Sequence, residues 1–202
     1  MHRSSRLCFV GSFAILLSSC GQQAPTPAQM ESPFKLVAGI QDLMALQIDP
    51  AADALWESVS TTTTADGSHE QKPLSDADWA KARGHALTLI EASNLLLMEG
   101  RRVKREGVQV LEDHGTPGNL SAEESQQAID SNRQTFVAFA TALRDVGSQM
   151  LTAVEAKNPD GIMEAGATMD QVCESCHLKF WYPGQKIPRF PDEAPEVDAP
   201  AK

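Results

Sequence analysis

Five residues near the C-terminal end of this 202-residue chain constrain its fold more than any other stretch. They read Cys-Glu-Ser-Cys-His and run from Cys173 to His177. Two cysteines separated by two residues and followed at once by a histidine form the pattern of a covalent c-type haem attachment site. Residues three apart on a helix share a face, so Cys173 and Cys176 can both add to the vinyl groups of one haem. His177 is then placed to bind the iron as its proximal ligand.

The same motif has three weaker interpretations: a thioredoxin-like redox pair, half of a zinc site, or a chance match. A thioredoxin motif follows a strand in a βαβ unit, and no strand is predicted before Cys173. A zinc site needs a second pair of cysteines or histidines, which the chain does not offer at a suitable spacing. Haem attachment is therefore the favoured interpretation.

Residues 1–19 predict an export signal, because a short basic start precedes an apolar run that is too short to span a membrane as a helix. The run ends in Leu-Ser-Ser-Cys at Cys20, which resembles the lipobox of bacterial lipoproteins. In those proteins the signal is cut before the cysteine that carries the lipid. The resemblance implies lipidation of Cys20, and Gly21 favours the outer membrane in a host with two membranes. The alternative is an ordinary secretory signal that is cut nearby.

Cysteine and charge accounting agree with a periplasmic, lipid-anchored protein. Cys8 leaves with the signal and Cys20 is the lipidation candidate, so only the two cysteines of the haem motif remain of the four in the chain. The net charge of −10 argues against nucleic acid as a partner. It favours a basic or locally complementary redox partner protein of the cell envelope. The membrane contact expected is the N-terminal lipid alone.

Composition divides the rest of the chain into three parts. Residues 20–31 are rich in Pro, Gln and Ala and predict a flexible tether. Residues 32–182 carry amphipathic helical patterns, and residues 183–202 form an acidic, Pro-rich tail with nothing to bury. The threonine run and the residues after it, 61–73, are interpreted as a loop.

Four helices are predicted in the central part. The first has Ser32 as its N-cap and is interrupted at Asp49-Pro50. The second begins at Ser75, with Asp78 in a capping-box position, and ends in a basic cluster at residues 101–105. We interpret this cluster as helix capping; contact with haem propionates or with a partner is the alternative.

The third helix opens with a capping box at Ser121 and runs to about Lys157 with the cleanest heptad in the chain. The fourth begins at Pro159 and carries both haem cysteines on its inner stripe. With no strand pattern, the chain predicts an all-α, antiparallel up-down-up-down four-helix bundle. Small residues on the inner stripes either admit a haem or allow close helix packing, and close packing is preferred for each of them: Ala82, Ala86 and Gly166.

With its attachment site on the last of four helices, the chain resembles the class II cytochromes c, the family that includes cytochromes c prime. The specific part of the resemblance is Cys-Glu-Ser-Cys-His-Leu-Lys-Phe at residues 173–180. Phe180 matches the aromatic that the family carries three residues after the histidine, whereas Trp181 stands where an arginine is common. The resemblance implies one covalently attached haem c. It also implies a homodimer as one known assembly, for which the sequence shows no interface pattern.

Within this family the second axial position of the iron separates two functions. Five-coordinate members leave it open and bind small gases such as NO and CO, whereas six-coordinate members take a methionine from the first helix and carry electrons. Residues 41–44 resemble the segment that carries this ligand, which implies Met44. In the predicted bundle Met44 also lies at the same end as His177, although a methionine on an apolar stripe is commonly core filler. The other methionines are predicted to lie at the far end of the bundle, on an outer face, on the helix of His177 or in the tether, where none can reach the iron. They are Met150, Met163, Met98, Met169 and Met30.

We therefore expect an electron-transfer cytochrome rather than an enzyme. The first alternative is a gas-binding cytochrome with an open iron, and the second is a dithiol oxidoreductase that uses Cys173 and Cys176. The remaining histidines of the mature chain are expected to have no role at the iron: His69, His85 and His114. Trp181 and Tyr182 either cover the haem edge or close the bundle.

Overall fold

The computed structural model describes residues 34–108 and 115–185 and is mostly helical within them. Its elements are α1 (Ile40–Leu43), a π-helical turn (Met44–Ile48), α2 (Asp49–Ser58), β1 (Ser60–Thr64), β2 (Gly67–Gln71), α3 (Asp76–Leu97), α4 (Ala122–Ser131), α5 (Arg133–Glu155) and α6 (Pro159–Phe180). All of them belong to one compact unit that begins at Leu36. The predicted signal, Cys20, the tether and the tail beyond residue 185 lie outside the described residues.

The helices pack as neighbours around one apolar core. Helix α3 lies against α2 and α5, α5 lies against α6, and α6 returns to contact α2. The heptad predicted for the third helix is buried or half-buried throughout, which confirms that prediction. Within the two described ranges, no helix is long and apolar enough to cross a lipid bilayer.

The first predicted helix begins later than expected. Ser32 lies outside the described residues, but residues 34–39 are not helical, and α1 starts at Ile40 with Gly39 as its N-cap. The cause is a tertiary contact. The N–H groups of Ile40 and Gln41 donate to the carbonyls of residues 102 and 103, at 2.9 and 3.0 Å. A distant segment therefore satisfies the first amides of α1, which every helix leaves without an internal partner.

The predicted interruption at Asp49-Pro50 is also wrong, because the chain stays helical through both residues. The turn before them is widened into a π-turn, in which the N–H of Asp49 donates to the carbonyl of Met44, five residues back. Pro50 then falls in the first turn of α2, where its missing N–H removes no hydrogen bond within that helix. Met44 is the first residue of this π-turn.

The loop predicted at residues 61–73 is wrong over most of its length, because it folds into an exposed antiparallel hairpin. Strand β1 pairs with β2 in a register that sets Thr64 opposite Gly67. Threonine is β-branched and favours extended backbone, so the run of four threonines supports a strand. Gly67 has φ +127°, a conformation that only glycine adopts without strain, and it closes the turn.

Helix α3 begins as predicted but ends early. The capping box is present, with the Ser75 hydroxyl accepting from the Asp78 N–H at 3.2 Å. The helix stops at Leu97, and Gly100 follows in a left-handed conformation with φ +78°. The basic residues 101–105 therefore lie beyond the helix rather than in its last turn. The prediction that they cap its C-terminus holds for Arg101, whose Nε donates to the Leu95 carbonyl at 2.7 Å.

The third predicted helix is divided in two. Its capping box at Ser121 and Glu124 is confirmed, but α4 ends at Ser131 and α5 begins at Arg133. Asn132 between them leaves helical geometry, with φ −131° and ψ 38°, while its side chain donates to the carbonyl of Ala128 at 2.9 Å. Asparagine competes for backbone hydrogen bonds in this way, which explains the break.

Helix α6 begins at Pro159, as predicted. The Asn158 side chain caps it by accepting from the Gly161 N–H at 3.2 Å. Its inner stripe is fully buried at Ile162 and Met169, and the two cysteines of the motif continue the same stripe as half-buried residues. The regular helix thus carries both thiols to the end of the core.

Candidate functional site

The residues of the haem motif converge on one cleft at the C-terminal end of α6. Cys173, Cys176 and His177 all line a cleft of about 370 Å³ that α2, α5, α6 and the π-turn enclose. Both cysteines are free thiols and half-buried. Because α6 is regular here, a spacing of three residues places the two thiols on one face, as the sequence predicted.

Met44, from the first helical segment, lines the same cleft. It lines the 370 Å³ cleft together with both cysteines and His177. It also lines a smaller cavity of about 90 Å³ that reaches Cys176 and His177 from the side of α4. The structure therefore brings Met44 and His177 together, although they lie far apart in the sequence.

The other described methionines and histidines line neither of these cavities. Met150 and Met169 are fully buried in the core, and Met163 is 49% exposed. His85 faces a separate surface cleft beside the hairpin, and His69 lies exposed on β2. Met30 and His114 lie outside the described residues. Besides His177, Met44 is thus the only described methionine or histidine that lines the cleft, and it is the candidate for the second iron ligand (the distal ligand).

The walls of the cleft are mostly apolar and aromatic. Sequence reasoning did not identify these lining residues, since each belongs to an ordinary amphipathic stripe. Small side chains facing the cleft could have given a signal, because they leave room beside larger neighbours. The wall residues include Ile48, Ala52, Trp56, Leu96, Phe136, Phe139, Ala140, Leu143 and Val172.

The small residues that the sequence did single out serve close packing instead. Ala82 and Ala86 are buried in α3 and do not line the cleft. Gly166 receives the Trp56 side chain, whose Nε1 donates to its carbonyl at 3.1 Å. A Cβ on Gly166 would lie 3.0 Å from a ring carbon of Trp56. The preferred interpretation, close packing, is therefore confirmed for this glycine.

Two aromatic residues pack directly on His177. The Trp181 ring lies 4.9 Å from the imidazole at an interplanar angle of 90°, and the Tyr182 ring lies 5.6 Å away. The N–H groups of both residues donate to the His177 carbonyl, at 2.8 and 2.9 Å. The Tyr182 hydroxyl donates to Glu174 at 2.8 Å. These contacts fix the orientation of His177 at the end of α6.

Burial sets the protonation states at the site. It lowers the pKa of His177, which favours the neutral imidazole that binds metals. It raises the pKa of Cys173 to about 11 and that of Cys176 to about 12, so both are neutral thiols near neutral pH. Catalytic dithiols need a lowered pKa, because the thiolate is their nucleophile. The environment of these thiols is thus unlike that of a redox dithiol.

The residues present fit a covalent haem. Two thiols on one face, a neutral histidine and a methionine border an apolar cleft whose volume is within the range of cofactor sites. No three His, Cys, Asp or Glu side chains of the described ranges converge as a metal site. A haem does not require such a group, because the porphyrin supplies four ligands itself.

Comparisons of the chain with protein-family models, with curated proteins and with solved structures found no match. The functional assignment consequently rests on the residues of this chain and on their arrangement.

Proposed function

We propose that this protein is an electron-transfer c-type cytochrome with one covalent haem. The observation that carries the proposal is the placement of Met44 in the cleft that Cys173, Cys176 and His177 line. A motif can occur by chance, but a chance motif has no reason to share its cleft with a methionine from the first helical segment. When bound, the haem supplies an iron that cycles between the ferrous and ferric states by one electron.

The cysteines hold the group by thioether bonds. Cys173 and Cys176 would each hold the haem by adding S–H across one vinyl group, which forms a C–S bond, transfers the thiol hydrogen to the neighbouring carbon and needs no oxidant. Two bonds from one helical face fix the haem against α6.

The axial residues decide what the iron does. His177 provides a neutral imidazole that Trp181 and Tyr182 hold in position. Met44, which lines the same cleft, would provide a thioether, and His/Met ligation raises the reduction potential relative to other ligand pairs. An iron held by both residues would have no open position for a substrate or a gas, and would therefore carry electrons.

The apolar wall supports the same function. Phe136, Phe139 and Leu143 of α5 face the cleft, and Trp56 closes it on the side of α2. An apolar surrounding excludes water and lowers the local dielectric, both of which tune the potential of a buried haem. The acidic residues at the cleft, Asp49, Asp170 and Glu174, add negative charge beside the group.

The finer architecture is part of the proposal. We propose an antiparallel up-down-up-down four-helix bundle, in which α1, the π-turn and α2 form the first helix and α4 with α5 form the third. The contacts of α2 with α3, α3 with α5, α5 with α6, and α6 with α2 support this arrangement. The haem is attached to the last helix, as in the class II cytochromes c.

Export, anchoring and partners follow from the sequence. We propose that the chain is exported to the periplasm, is lipidated at Cys20 and remains membrane-bound through that lipid. Haem attachment to a CxxCH motif outside the cytoplasm is consistent with such export. The net charge of −10 supports a redox partner that presents a basic surface.

Two measurements test the proposed function. Haem staining of the denatured protein on a gel should show a covalently retained haem. The ferrous protein should bind carbon monoxide slowly, because Met44 must first leave the iron. Rapid binding by the native protein would support the gas-binding alternative, and an unstained band would contradict haem attachment altogether.

A further inference from the structure

We propose that residues 101–105, which we call the strap, position Met44, and that the Arg105–Asp42 ion pair is the side-chain link from the strap to α1. The inference rests on the proposed function, since it concerns the residue assigned as distal ligand. It assigns Asp42 and Arg105 as positioning residues of the site. Neither of them lines the cleft or the smaller cavity.

The need for such a link follows from the shortness of α1. This helix has only four residues before the π-turn that begins at Met44. Helix formation is unfavourable until several turns have formed, and a π-turn interrupts the regular ladder of hydrogen bonds. The regular hydrogen-bond ladder of α2 is thus interrupted before it reaches Met44, so contacts at the start of α1 contribute to the position of Met44.

The strap supplies backbone contacts to the start of α1. Its carbonyls at Arg102 and Val103 accept from the N–H groups of Ile40 and Gln41. The approach is so close that a Cβ on Gly39 would lie 2.8 Å from the Val103 carbonyl oxygen. The first turn of α1 is thus seated directly on the strap.

An ion pair fixes the same turn sideways. The Arg105 guanidinium donates to both carboxylate oxygens of Asp42, at 2.7 and 3.1 Å. Asp42 also accepts from the Gly39 N–H at 2.7 Å, so one carboxylate joins the N-cap of α1 to the strap. Bidentate pairs of this kind are directional as well as strong. Asp42 lies two residues before Met44.

The strap is itself anchored on other elements. Arg101 is 8% exposed and donates to the carbonyls of Leu95 and Ala38, at 2.7 and 2.5 Å.

The strap is also anchored on α4. The Val103 N–H donates to the buried Gln126 of α4 at 2.7 Å, and Lys104 pairs with Glu123 at 2.8 Å. The strap therefore links α3 and α4 to the helical turn that carries Met44. Val103 also lines the smaller cavity beside Met44 and His177.

The test uses the haem-loaded full chain with Arg105→Ala and Asp42→Asn. A matched control is Arg83→Ala, which removes another exposed arginine–carboxylate pair, with Glu155 at 3.3 Å, far from the strap. Hydrogen exchange of the Ile40 and Gln41 amides is measured first. We expect it to accelerate at least about tenfold in both variants, because hydrogen bonds to charged groups are among the stronger ones. The control should exchange at the native rate.

Carbon monoxide binding to the ferrous protein is the second readout. If the strap positions Met44, its loss raises the population with Met44 off the iron, and binding accelerates about tenfold toward the rate of Met44→Ala. Arg105→Lys, which keeps the charge, should give an intermediate rate. Unchanged exchange would overturn the proposal, and so would faster exchange with unchanged carbon monoxide binding.

Failure of the proposed function can be distinguished from failure of the positioning role of the strap. If the native protein already binds carbon monoxide as fast as Met44→Ala, Met44 is not a ligand and the proposed function fails with the inference. If only Met44→Ala is fast while both strap variants remain slow, the proposed function stands and the strap has no positioning role.

Discussion

The two halves of the candidate site are built in opposite ways. Helix α6 runs unbroken over Pro159–Phe180, is capped by Asn158 and carries both cysteines and His177 within five residues. The distal half consists of the one-turn α1 and a π-turn, and it is held by the strap from a distant part of the chain. One half is determined locally, and the other by tertiary contacts.

This difference has a physical consequence. Covalent attachment depends on residue identity and helical spacing, so it should survive modest changes elsewhere. The proposed ligation of the iron by Met44 depends on contacts at the start of α1, so it should respond to changes that barely affect the fold. The following variants separate these two kinds of dependence, beginning with the largest expected effect.

Replacing both thiols in a Cys173→Ala/Cys176→Ala variant should abolish covalent haem completely, because no other thiol of the described chain lines the cleft. The haem stain on a denaturing gel should vanish, whereas Met44→Ala should stain like the native protein. A stained double variant would show that the haem is attached elsewhere and would break the assignment of α6.

Met169→Ala tests the core of α6 without touching the motif. Met169 is fully buried, so truncation should lower the free energy of unfolding by about 2–5 kcal/mol in a denaturant titration. The control Met163→Ala, at a 49% exposed position of the same helix, should change it by less than about 0.5 kcal/mol. Equal effects from the two substitutions would contradict the described face of α6.

Gly39→Ala tests the seating of the distal half. Its Cβ would lie 2.8 Å from the Val103 carbonyl, so we expect a loss of about 1–3 kcal/mol in the free energy of unfolding. Gly84→Ala in α3 meets open space and should instead add about 0.5–1 kcal/mol. Opposite signs from two Gly→Ala changes would support the close approach of the strap, and a neutral Gly39→Ala would argue against it.

Asn158→Ala should have the smallest effect. It removes the side-chain cap of α6 and should lower the free energy of unfolding by about 1 kcal/mol, measured by thermal or denaturant unfolding. Haem attachment and axial ligation should not change, since the cap lies at the opposite end of the helix from the motif. A loss of attachment in this variant would show that the motif depends on the whole helix.

The features that could be predicted from the sequence are the locally determined ones, as in the half of the site that α6 provides. The sequence predicted α6, its start at Pro159 and the capping boxes at Ser75 and Ser121, because caps and heptads are local patterns. It also predicted that the two cysteines share one face. These features need only the spacing of residues along one helix.

The features that sequence reasoning missed depend on distant partners. The late start of α1 arises from hydrogen bonds to the strap, and no local pattern announces them. Pro50 indicated an interruption of the helix, but the chain stays helical because a π-turn precedes Pro50 and places it in the first turn of α2. The basic residues of the strap were predicted to end α3, but they lie beyond it. Arg101 bonds the Leu95 carbonyl of α3 and also the Ala38 carbonyl before α1, and Arg105 pairs with Asp42 of α1. The alanines of the cleft wall are likewise indistinguishable from packing alanines in the sequence.

The proposed function and the positioning role of the strap both depend on Met44 as an iron ligand, so a measurement of that ligation is the most direct test. The ferric absorption spectrum of the purified native protein should be low-spin, because histidine and methionine together give a strong ligand field. It should become high-spin in Met44→Ala while the haem remains covalently attached. A native spectrum that is already high-spin, and that Met44→Ala leaves unchanged, would contradict the assignment and favour a gas-binding cytochrome.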